Sequence, residues 1–505
     1  MTLGAVLSIL WSLYFARVIL TTPYQIGYRE GAPQVITSIL LDGENFATLE
    51  NQPLAYYVYG IGYNAIVLPF AKVFGNTLHI HRMVTFIFIL LSAATSFWIV
   101  YRQTRKNSVA LICSAFLMTA FMGWGGIGSA PSTMGTFLFL AALFIPYIRS
   151  FDSMGIALSA LFALAAIHTK AYFILSFGIV AFYLFFFVSK KKSLGYILLF
   201  AVLFAITFAI IKIKFPLYFA ILFLGNASYV FRTFKHLYTQ IFWLIVYFSP
   251  ILILTATMLW GKFPKKNKTI SHSDTASVRY HILNLDAPLL EMRPDYYLCA
   301  FILSLLAFVI ILGSHVGNYL AYSYELVVST FIIWFLINFD QRKGFKVFSA
   351  SVIILNLVCW QYITLNPNML DQKSSVAWER LFSYLKPSLN ILNSPTITSR
   401  LIELGIRPID SGQTDYFYTM KPYADNPLIG IAYEEYYNDG VEYTQSINDS
   451  IVNQEYDLIV TTKDVDVFYD LDLVAEHYEM VDQLILYMSA TEQKWVVEVW
   501  EPLSR

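Results

Sequence analysis

The sequence predicts a polytopic α-helical membrane protein of about eleven transmembrane helices with a C-terminal external α/β domain. Of its 505 residues, 57% are hydrophobic and only 13% are charged, which is not the balance of a soluble globular protein. Residues 366–505 differ sharply, with 23 Asp and Glu against nine Lys and Arg, whereas residues 1–365 have 25 Lys and Arg against 11 Asp and Glu. We therefore divide the chain into a transmembrane domain at 1–365 and an acidic domain at 366–505.

Apolar segments near the length of about 20 residues that crosses a bilayer account for the first domain. They lie at about 3–21, 82–101, 108–122, 133–149, 154–168, 171–188, 194–213, 238–260, 296–313, 320–338 and 345–364. The first has no basic leader and no small-residue cleavage site, so it is predicted to be an uncleaved span. Three cysteines, Cys113, Cys299 and Cys359, lie in apolar segments without metal-ligand spacing, so no disulfide framework or metal site is predicted.

Basic loops set the predicted orientation. They lie after even-numbered spans, at 101–106, 190–192, 262–279 and 341–343. Because such loops stay in the cytoplasm, the N-terminus is predicted to be cytoplasmic and the C-terminal domain external. The external side then receives the long loop 22–81. Within it, Tyr63–Phe74 is too short to span and is predicted to lie along the membrane surface as a helix, with Tyr56, Tyr57, Tyr59 and Tyr63 at the headgroups.

The acidic domain alternates helical and extended patterns. Helices are predicted at Ser375–Leu385 and Thr396–Leu404, and strands at Leu389–Leu392, Tyr456–Val460, Leu484–Tyr487 and Trp495–Trp500. The last two are predicted to form a hairpin. The pattern indicates a small α/β sheet domain.

Charged side chains close to the external span ends are the candidates for chemistry. Glu30 follows the first span and Glu325 begins the tenth, where a carboxylate near hydrocarbon is costly and indicates a use. The same side holds many cations and histidines, which predict an anionic ligand because cations otherwise favour the cytoplasmic side. They are Lys170, Lys212, Lys214, Arg232, Lys235, His168, His236 and His315.

Motifs in the first loop carry a family resemblance. They are Tyr28-Arg29-Glu30-Gly31, Leu41-Asp42-Gly43-Glu44, Asn51-Gln52-Pro53, Tyr59-Gly60-Ile61-Gly62-Tyr63 and Val67-Leu68-Pro69-Phe70, with His81-Arg82 opening the second span. Together with Thr169-Lys170, Asn318-Tyr319-Leu320 and the eleven-span plan, this loop resembles GT-C-type membrane glycosyltransferases, the superfamily of the protein O-mannosyltransferases and bacterial aminoarabinose transferases.

The resemblance implies transfer of a sugar from a polyprenyl-phosphate donor, with a first-loop acid as general base. Glu30 is the matching position, although Arg29 replaces the first acid of the usual pair and Pro131-Ser132-Thr133 stands where the fourth span often begins with an acid. Lys170 is the candidate cation for the leaving phosphate. Further candidate substrate contacts are His168, Arg232, Lys235, His315, Glu325, Tyr59, Asp42 and Glu44. No cofactor is assigned, and a divalent metal is left open without support from the residues.

Structural alternatives stand beside these roles. Glu30 could pair with Arg29, Arg17 or a loop cation, Lys170 could snorkel to the headgroups, and Asp42 and Glu44 could be solvated turn residues. A transporter or flippase of lipid-linked saccharide and a non-catalytic scaffold are the rival functions; the sequence lacks the internal repeat typical of transporters. The predicted enzyme lies in a bacterial cytoplasmic membrane, among membrane lipid, and acts on a glycan, lipid or protein acceptor and not on nucleic acid.

The orientation is testable by reporter fusion. Because the basic loops alternate with the others, alkaline phosphatase fused after residue 365 should be active, since it would lie outside the cytoplasm. The same reporter in the loop 190–192 should be inactive. Activity in the opposite pattern would place the C-terminal domain in the cytoplasm.

Overall fold

The computed structural model describes residues 2–27, 29–122, 128, 131–225, 233–260, 284–290, 294–313, 323–339, 346–365, 372–412, 414, 430–463, 465, 467–488 and 493–503. Over the described residues, every predicted apolar segment coincides with an α-helix, in three cases extended by a 3-10 or π-helical turn, which confirms the polytopic helical fold. These helices are α1 (Thr2–Thr21), α4 (Leu78–Thr104), α5 (Asn107–Met122), α6 (Pro131–Ile148), α7 (Ser153–Ile167), α8 (Leu175–Phe187), α9 (Lys190–Lys214), α10 (Phe234–Trp260), α11 (Tyr296–Ala307), α12 (Ser329–Asn338) and α13 (Lys346–Thr364).

The burial pattern of the helices fits a membrane environment. Among the described residues, α1, α4, α6, α9 and α10 are long and apolar enough to cross a bilayer, and the other apolar helices are shorter. α5 is buried along nearly its whole length and forms the centre of the bundle with α6. On α9, by contrast, Leu198 is 66% exposed and Ile213 is 83% exposed. An apolar helix with exposed apolar side chains is stable where lipid replaces water.

Two helices lie in the loop after α1. α2 (Gly31–Leu41) was not predicted, and α3 (Gly62–Phe74) confirms the predicted short helix. The Asn64 side chain joins them by donating to the carbonyl oxygen of Pro33 at 2.8 Å and to Thr37 at 3.0 Å. The headgroup position predicted for Tyr56, Tyr57 and Tyr63 is wrong, because all three side chains are buried inside the protein.

Irregular helical turns occur in the bundle, some of them at the end that the loop after α1 covers, here called the loop face. Ala171–Ile174 is a 3-10 turn, and Ala220–Gly225, Phe308–Leu312 and Tyr324–Val328 are π-helical. Backbone contacts place the first two at this face: Gly60 N donates to Thr169 O at 2.9 Å, and Leu217 N donates to Ala47 O at 3.1 Å. π-helical turns are rare and occur frequently at functional sites.

The C-terminal part is an α/β domain, as predicted. Its four-stranded sheet has the order β1-β2-β4-β3. β1 (Ile391–Leu392) runs parallel to β2 (Leu458–Thr462), and β3 (Tyr478–Met488) and β4 (Gln493–Pro502) form the predicted antiparallel hairpin. The helices are α14 (Gln372–Tyr384), α15 (Thr398–Glu403), α16 (Gly430–Val452) and α17 (Leu471–His477); α14 and α15 match predictions, whereas α16 and α17 were not predicted.

The C-terminal domain docks on the loop face through the start of the first loop. The Gln25 side chain donates to the carbonyl oxygen of Pro395 at 3.1 Å and accepts from Ser399 N at 2.8 Å. Next to it, the Tyr24 ring stacks on Trp378, with the ring centres 5.0 Å apart. The loop and the domain therefore lie on the same face of the bundle and hold each other in place.

Candidate functional site

Glu30 forms a buried two-point ion pair with Arg82. Arg82 Nε donates to Glu30 Oε1 and Arg82 Nη2 donates to Glu30 Oε2, both at 2.9 Å. The backbone N–H of Ile26 donates to Oε2 at 2.7 Å. Arg82 is fully buried and Glu30 is 5% exposed. Paired donors in this fork geometry fix both the position and the plane of a carboxylate.

Arg82 also binds backbone carbonyl groups at the C-terminal end of α1. Its Nη1 donates to the carbonyl oxygens of Ile19 at 2.9 Å and Thr22 at 2.7 Å, and its Nη2 donates to that of Tyr24 at 2.8 Å. With the two bonds to Glu30, all five guanidinium N–H donors are used. Arg82 is therefore the residue that ties the end of α1, the first loop and the start of α4 together.

The sequence interpretation did not find this pair. It treated Arg82 only as the basic residue that opens the second span, and considered Arg29 and Arg17 as partners for Glu30. In the structure Arg17 is exposed on α1. The base role of Glu30 stays a prediction, and the structure adds that the carboxylate is anchored.

A second buried ion pair joins Lys170 and Glu325. Lys170 Nζ lies 3.7 Å from Glu325 Oε1, and both side chains are buried. The hydroxyl of Tyr172 donates to Oε2 of the same carboxylate. The rings of Tyr59 and Tyr172 lie beside the ammonium, with their centres 5.0 and 5.5 Å from Nζ. The structure thus brings together three residues that the sequence nominated separately, Tyr59, Lys170 and Glu325.

His168 belongs to the same corner. Gly62 N donates to the His168 carbonyl oxygen at 2.7 Å, and a Cβ on Gly60 would lie only 2.0 Å from that oxygen, so glycine is required there. His168 Nδ1 is 2.9 Å from the hydroxyl of Tyr218. Burial lowers the pKa of the His168 imidazole to about 4, so the ring is neutral near pH 7.

Two buried polar atoms at this corner lack a hydrogen-bond partner among the described residues. They are Nε2 of His168 and the hydroxyl of Tyr57. The Tyr57 ring meets the Tyr59 ring edge to face, with the centres 5.4 Å apart. Buried polar groups are normally paired, so unpaired ones beside a buried cation are suited to binding a polar ligand.

Burial keeps two tyrosines of the first loop neutral. It raises the pKa of the Tyr63 phenol, and the Glu30 carboxylate adds to the rise. Burial likewise raises the pKa of Tyr57, with Tyr59 and Tyr63 as further causes. Both side chains are therefore uncharged phenols near pH 7.

The remaining sequence candidates lie elsewhere. Asp42 and Glu44 are exposed just after α2, and Lys235 is exposed at the start of α10. Arg232 and His315 lie outside the described residues. No group of three His, Cys, Asp or Glu side chains arranged to hold a metal ion occurs in the part of the chain that the structure describes.

A cavity of about 290 Å³ lies where the first loop meets the C-terminal domain. Asn51 and Arg407 stand on its two sides, and Arg407 Nη2 donates to Asn51 Oδ1 at 3.0 Å. The residues that line it do not include Lys170, Glu325, Tyr59, Tyr172 or His168, which together form the Lys170 corner.

The Arg82–Glu30 pair should be a main determinant of stability. Arg82→Met leaves the buried Glu30 carboxylate without its cation, so we expect the free energy of unfolding to fall by about 3–5 kcal/mol. Denaturant or thermal unfolding of the purified full chain would measure this. The matched control is Arg149→Met, which breaks an exposed pair with Asp152 and should change stability little. The double variant Arg82→Met/Glu30→Gln should recover part of the loss, and equal stabilities of Arg82→Met and Arg149→Met would contradict the assignment.

The fold has counterparts among solved structures. Neither a family model nor a curated protein matches the sequence. The chain is similar to ArnT from Cupriavidus metallidurans in the apo state, with a TM-score of 0.59 and 13% identity over 98% of this chain and 97% of that chain. It is similar to the same protein bound to undecaprenyl phosphate, with a TM-score of 0.58, 13% identity and the same coverage. A lesser similarity, with a TM-score of 0.47 and 12% identity over 94% of this chain and 72% of that chain, is to the Archaeoglobus fulgidus oligosaccharyltransferase in the apo form. The likeness to ArnT over nearly the whole of both chains shows that this protein has the GT-C polytopic membrane fold, as its first loop suggested.

Proposed function

We propose that this protein is a membrane glycosyltransferase that moves a sugar from a polyprenyl-phosphate donor to an acceptor hydroxyl. The observation that carries the proposal is Lys170, a cation buried at the loop face among Tyr59, Tyr172 and Glu325. A buried cation suits a lipid phosphate, because a phosphate at that depth needs a partner of opposite charge. The ArnT structure with bound undecaprenyl phosphate supports this class of donor on this fold.

The reaction assigns separate tasks to the two ion pairs. The bond between the sugar anomeric carbon and the phosphate oxygen breaks, and the lipid phosphate leaves with the electron pair. The acceptor oxygen forms the new glycosidic bond and loses its proton to a base. Lys170 would stabilise the charge that develops on the leaving phosphate. His168 Nε2 and the Tyr57 hydroxyl, which lack a hydrogen-bond partner among the described residues, would bind sugar hydroxyls.

Glu30 is the proposed base, as the family resemblance implies. Three described N–H groups donate to the Glu30 carboxylate, two from Arg82 and one from Ile26. Arg82 would hold the carboxylate in one orientation toward the acceptor hydroxyl. The opposing role is a pure anchor for the first loop, which the variants below separate from the base role.

The same proposal places the loop face outside the cytoplasm. The basic loops that follow even-numbered spans favour a cytoplasmic N-terminus and an external C-terminal domain in a bacterial cytoplasmic membrane. The contacts of Gln25 and Tyr24 with the C-terminal domain support a common side for that domain and the first loop. The candidate acceptors remain a glycan, a lipid or a protein at that side.

Donor binding tests the role of Lys170. Lys170→Ala should weaken binding of undecaprenyl phosphate to the purified protein by at least about tenfold, because it removes the cation in a site that excludes water. Lys191→Ala, which changes an exposed lysine in the first turn of α9, is the matched control and should bind like wild type. Equal affinity of wild type and Lys170→Ala would assign Lys170 to a structural role.

Sugar transfer tests the role of Glu30. A panel of polyprenyl-phosphate sugars with glycan, lipid and peptide acceptors should reveal turnover, which a flippase would not show. Per folded protein, Glu30→Gln should lose about 10²–10⁴-fold in transfer rate if the carboxylate takes the proton. Asp42→Asn and Glu44→Gln change exposed acids of the same loop, are the matched controls and should lose much less. A near-wild-type rate per folded protein in Glu30→Gln, together with lower stability, would make Glu30 an anchor and not a base.

A further inference from the structure

The Lys170–Glu325 pair has the geometry of a loosely held ion pair. Its nitrogen–oxygen distance is 3.7 Å, whereas charge-assisted hydrogen bonds in proteins are about 2.7–2.9 Å long. Both side chains are buried, so bulk water does not solvate the ammonium in place of a counter-ion. The nearby Glu325 carboxylate is therefore the counter-ion of Lys170, but it lies beyond the distance of a strong hydrogen bond.

Glu325 has a second partner, Tyr172, which does not depend on the contact between Glu325 and Lys170. Its Oε1 faces Lys170, and its Oε2 accepts from the hydroxyl of Tyr172. It lies on the π-helical turn Tyr324–Val328, where the regular helical hydrogen bonding is already altered. The carboxylate can thus keep the Tyr172 bond when Lys170 takes another anion.

We propose that Glu325 is a built-in competitor for the lipid phosphate at Lys170. In the absence of lipid the Glu325 carboxylate is the counter-ion of Lys170. When the lipid binds, its phosphate replaces the carboxylate as that counter-ion. This inference rests on the proposed function, and it adds a residue that sets donor affinity and the release of the lipid product.

The charges explain why such a competitor is useful at the product stage. The sugar-linked donor is a phosphodiester with one negative charge. The product is a phosphomonoester, which carries about −1.5 to −2 near pH 7. A single buried cation would therefore hold the product more tightly than the donor. A carboxylate beside it repels the more highly charged product more strongly, and so favours its release.

Undecaprenyl phosphate binding and two kinds of transfer measurement test the proposal. Glu325→Gln keeps the size of the side chain and its bond to Tyr172 but removes the charge. We expect it to bind undecaprenyl phosphate at least about tenfold more tightly. Its single-turnover transfer rate should not fall below wild type, because the leaving phosphate keeps Lys170 and loses a repelling charge. Its steady-state rate should fall because the lipid product leaves slowly. Glu476→Gln, an exposed carboxylate on α17, is the matched control.

A double-variant cycle shows whether the effect acts through Lys170. In a Lys170→Ala background, Glu325→Gln should tighten binding much less, because the cation for which the two anions compete is gone and only the direct repulsion remains. Where Glu325→Gln does not fold, Tyr172→Phe replaces it: the carboxylate loses its other partner, moves toward Lys170, and should weaken undecaprenyl phosphate binding.

Other outcomes would overturn the inference. Unchanged or weaker lipid binding by Glu325→Gln would mean that the carboxylate does not compete. A loss of about 10²-fold or more in its single-turnover rate would make Glu325 a proton acceptor in the chemical step. Failure of the wild-type protein to bind undecaprenyl phosphate would overturn the proposed function itself, whereas normal wild-type binding and transfer with an unaltered Glu325→Gln would overturn only the role of Glu325.

Discussion

The placement of the loop face depends on one interaction, the buried pair between Arg82 and Glu30. Arg82 lies in the first turns of α4, yet it uses all five of its donors on the end of α1 and the first loop. The chain leaving α1 is therefore fixed over Ile19–Tyr24 and again at Glu30. The residue next to Tyr24 in this fixed stretch is Gln25, whose side chain binds the C-terminal domain. The position of that domain follows from the same pair.

A buried ion pair of this kind specifies geometry more than it adds stability. Removing two charges from water is costly, and the attraction between them offsets that cost only when the remaining donors and acceptors are paired. Arg82 meets this condition because backbone carbonyls take the donors that Glu30 does not use. An apolar pair could pack as well, but it would not fix the direction in which the first loop leaves α1. The gain is a loop whose tyrosines reach the Lys170 corner.

The sequence was sufficient for features that depend on local pattern. Apolar length located α1 and the helices from α4 to α13, and alternation located the β3–β4 hairpin. Position in the chain nominated Lys170, His168 and Glu325, because each lies at or near the end of an apolar segment, whereas Tyr59 was nominated by the first-loop motif. Features that depend on pairing across the chain were missed. Nothing local links Arg82 to Glu30, 52 residues earlier, or Gln25 to Ser399, 374 residues later. α2 was missed because an eleven-residue apolar stretch in a loop has no length signal of its own.

The two buried ion pairs differ in a way that matches two different needs. Arg82 and Glu30 are joined by two bonds of 2.9 Å in a fork, and each bond limits the movement of the other. Lys170 and Glu325 are separated by 3.7 Å, and a lysine ammonium has no preferred plane. A site that binds and releases an anion in every cycle requires a cation whose partner can be replaced. The residues that position this site require partners that cannot be replaced. Arginine with a bidentate carboxylate serves the second need, and lysine with a distant carboxylate serves the first.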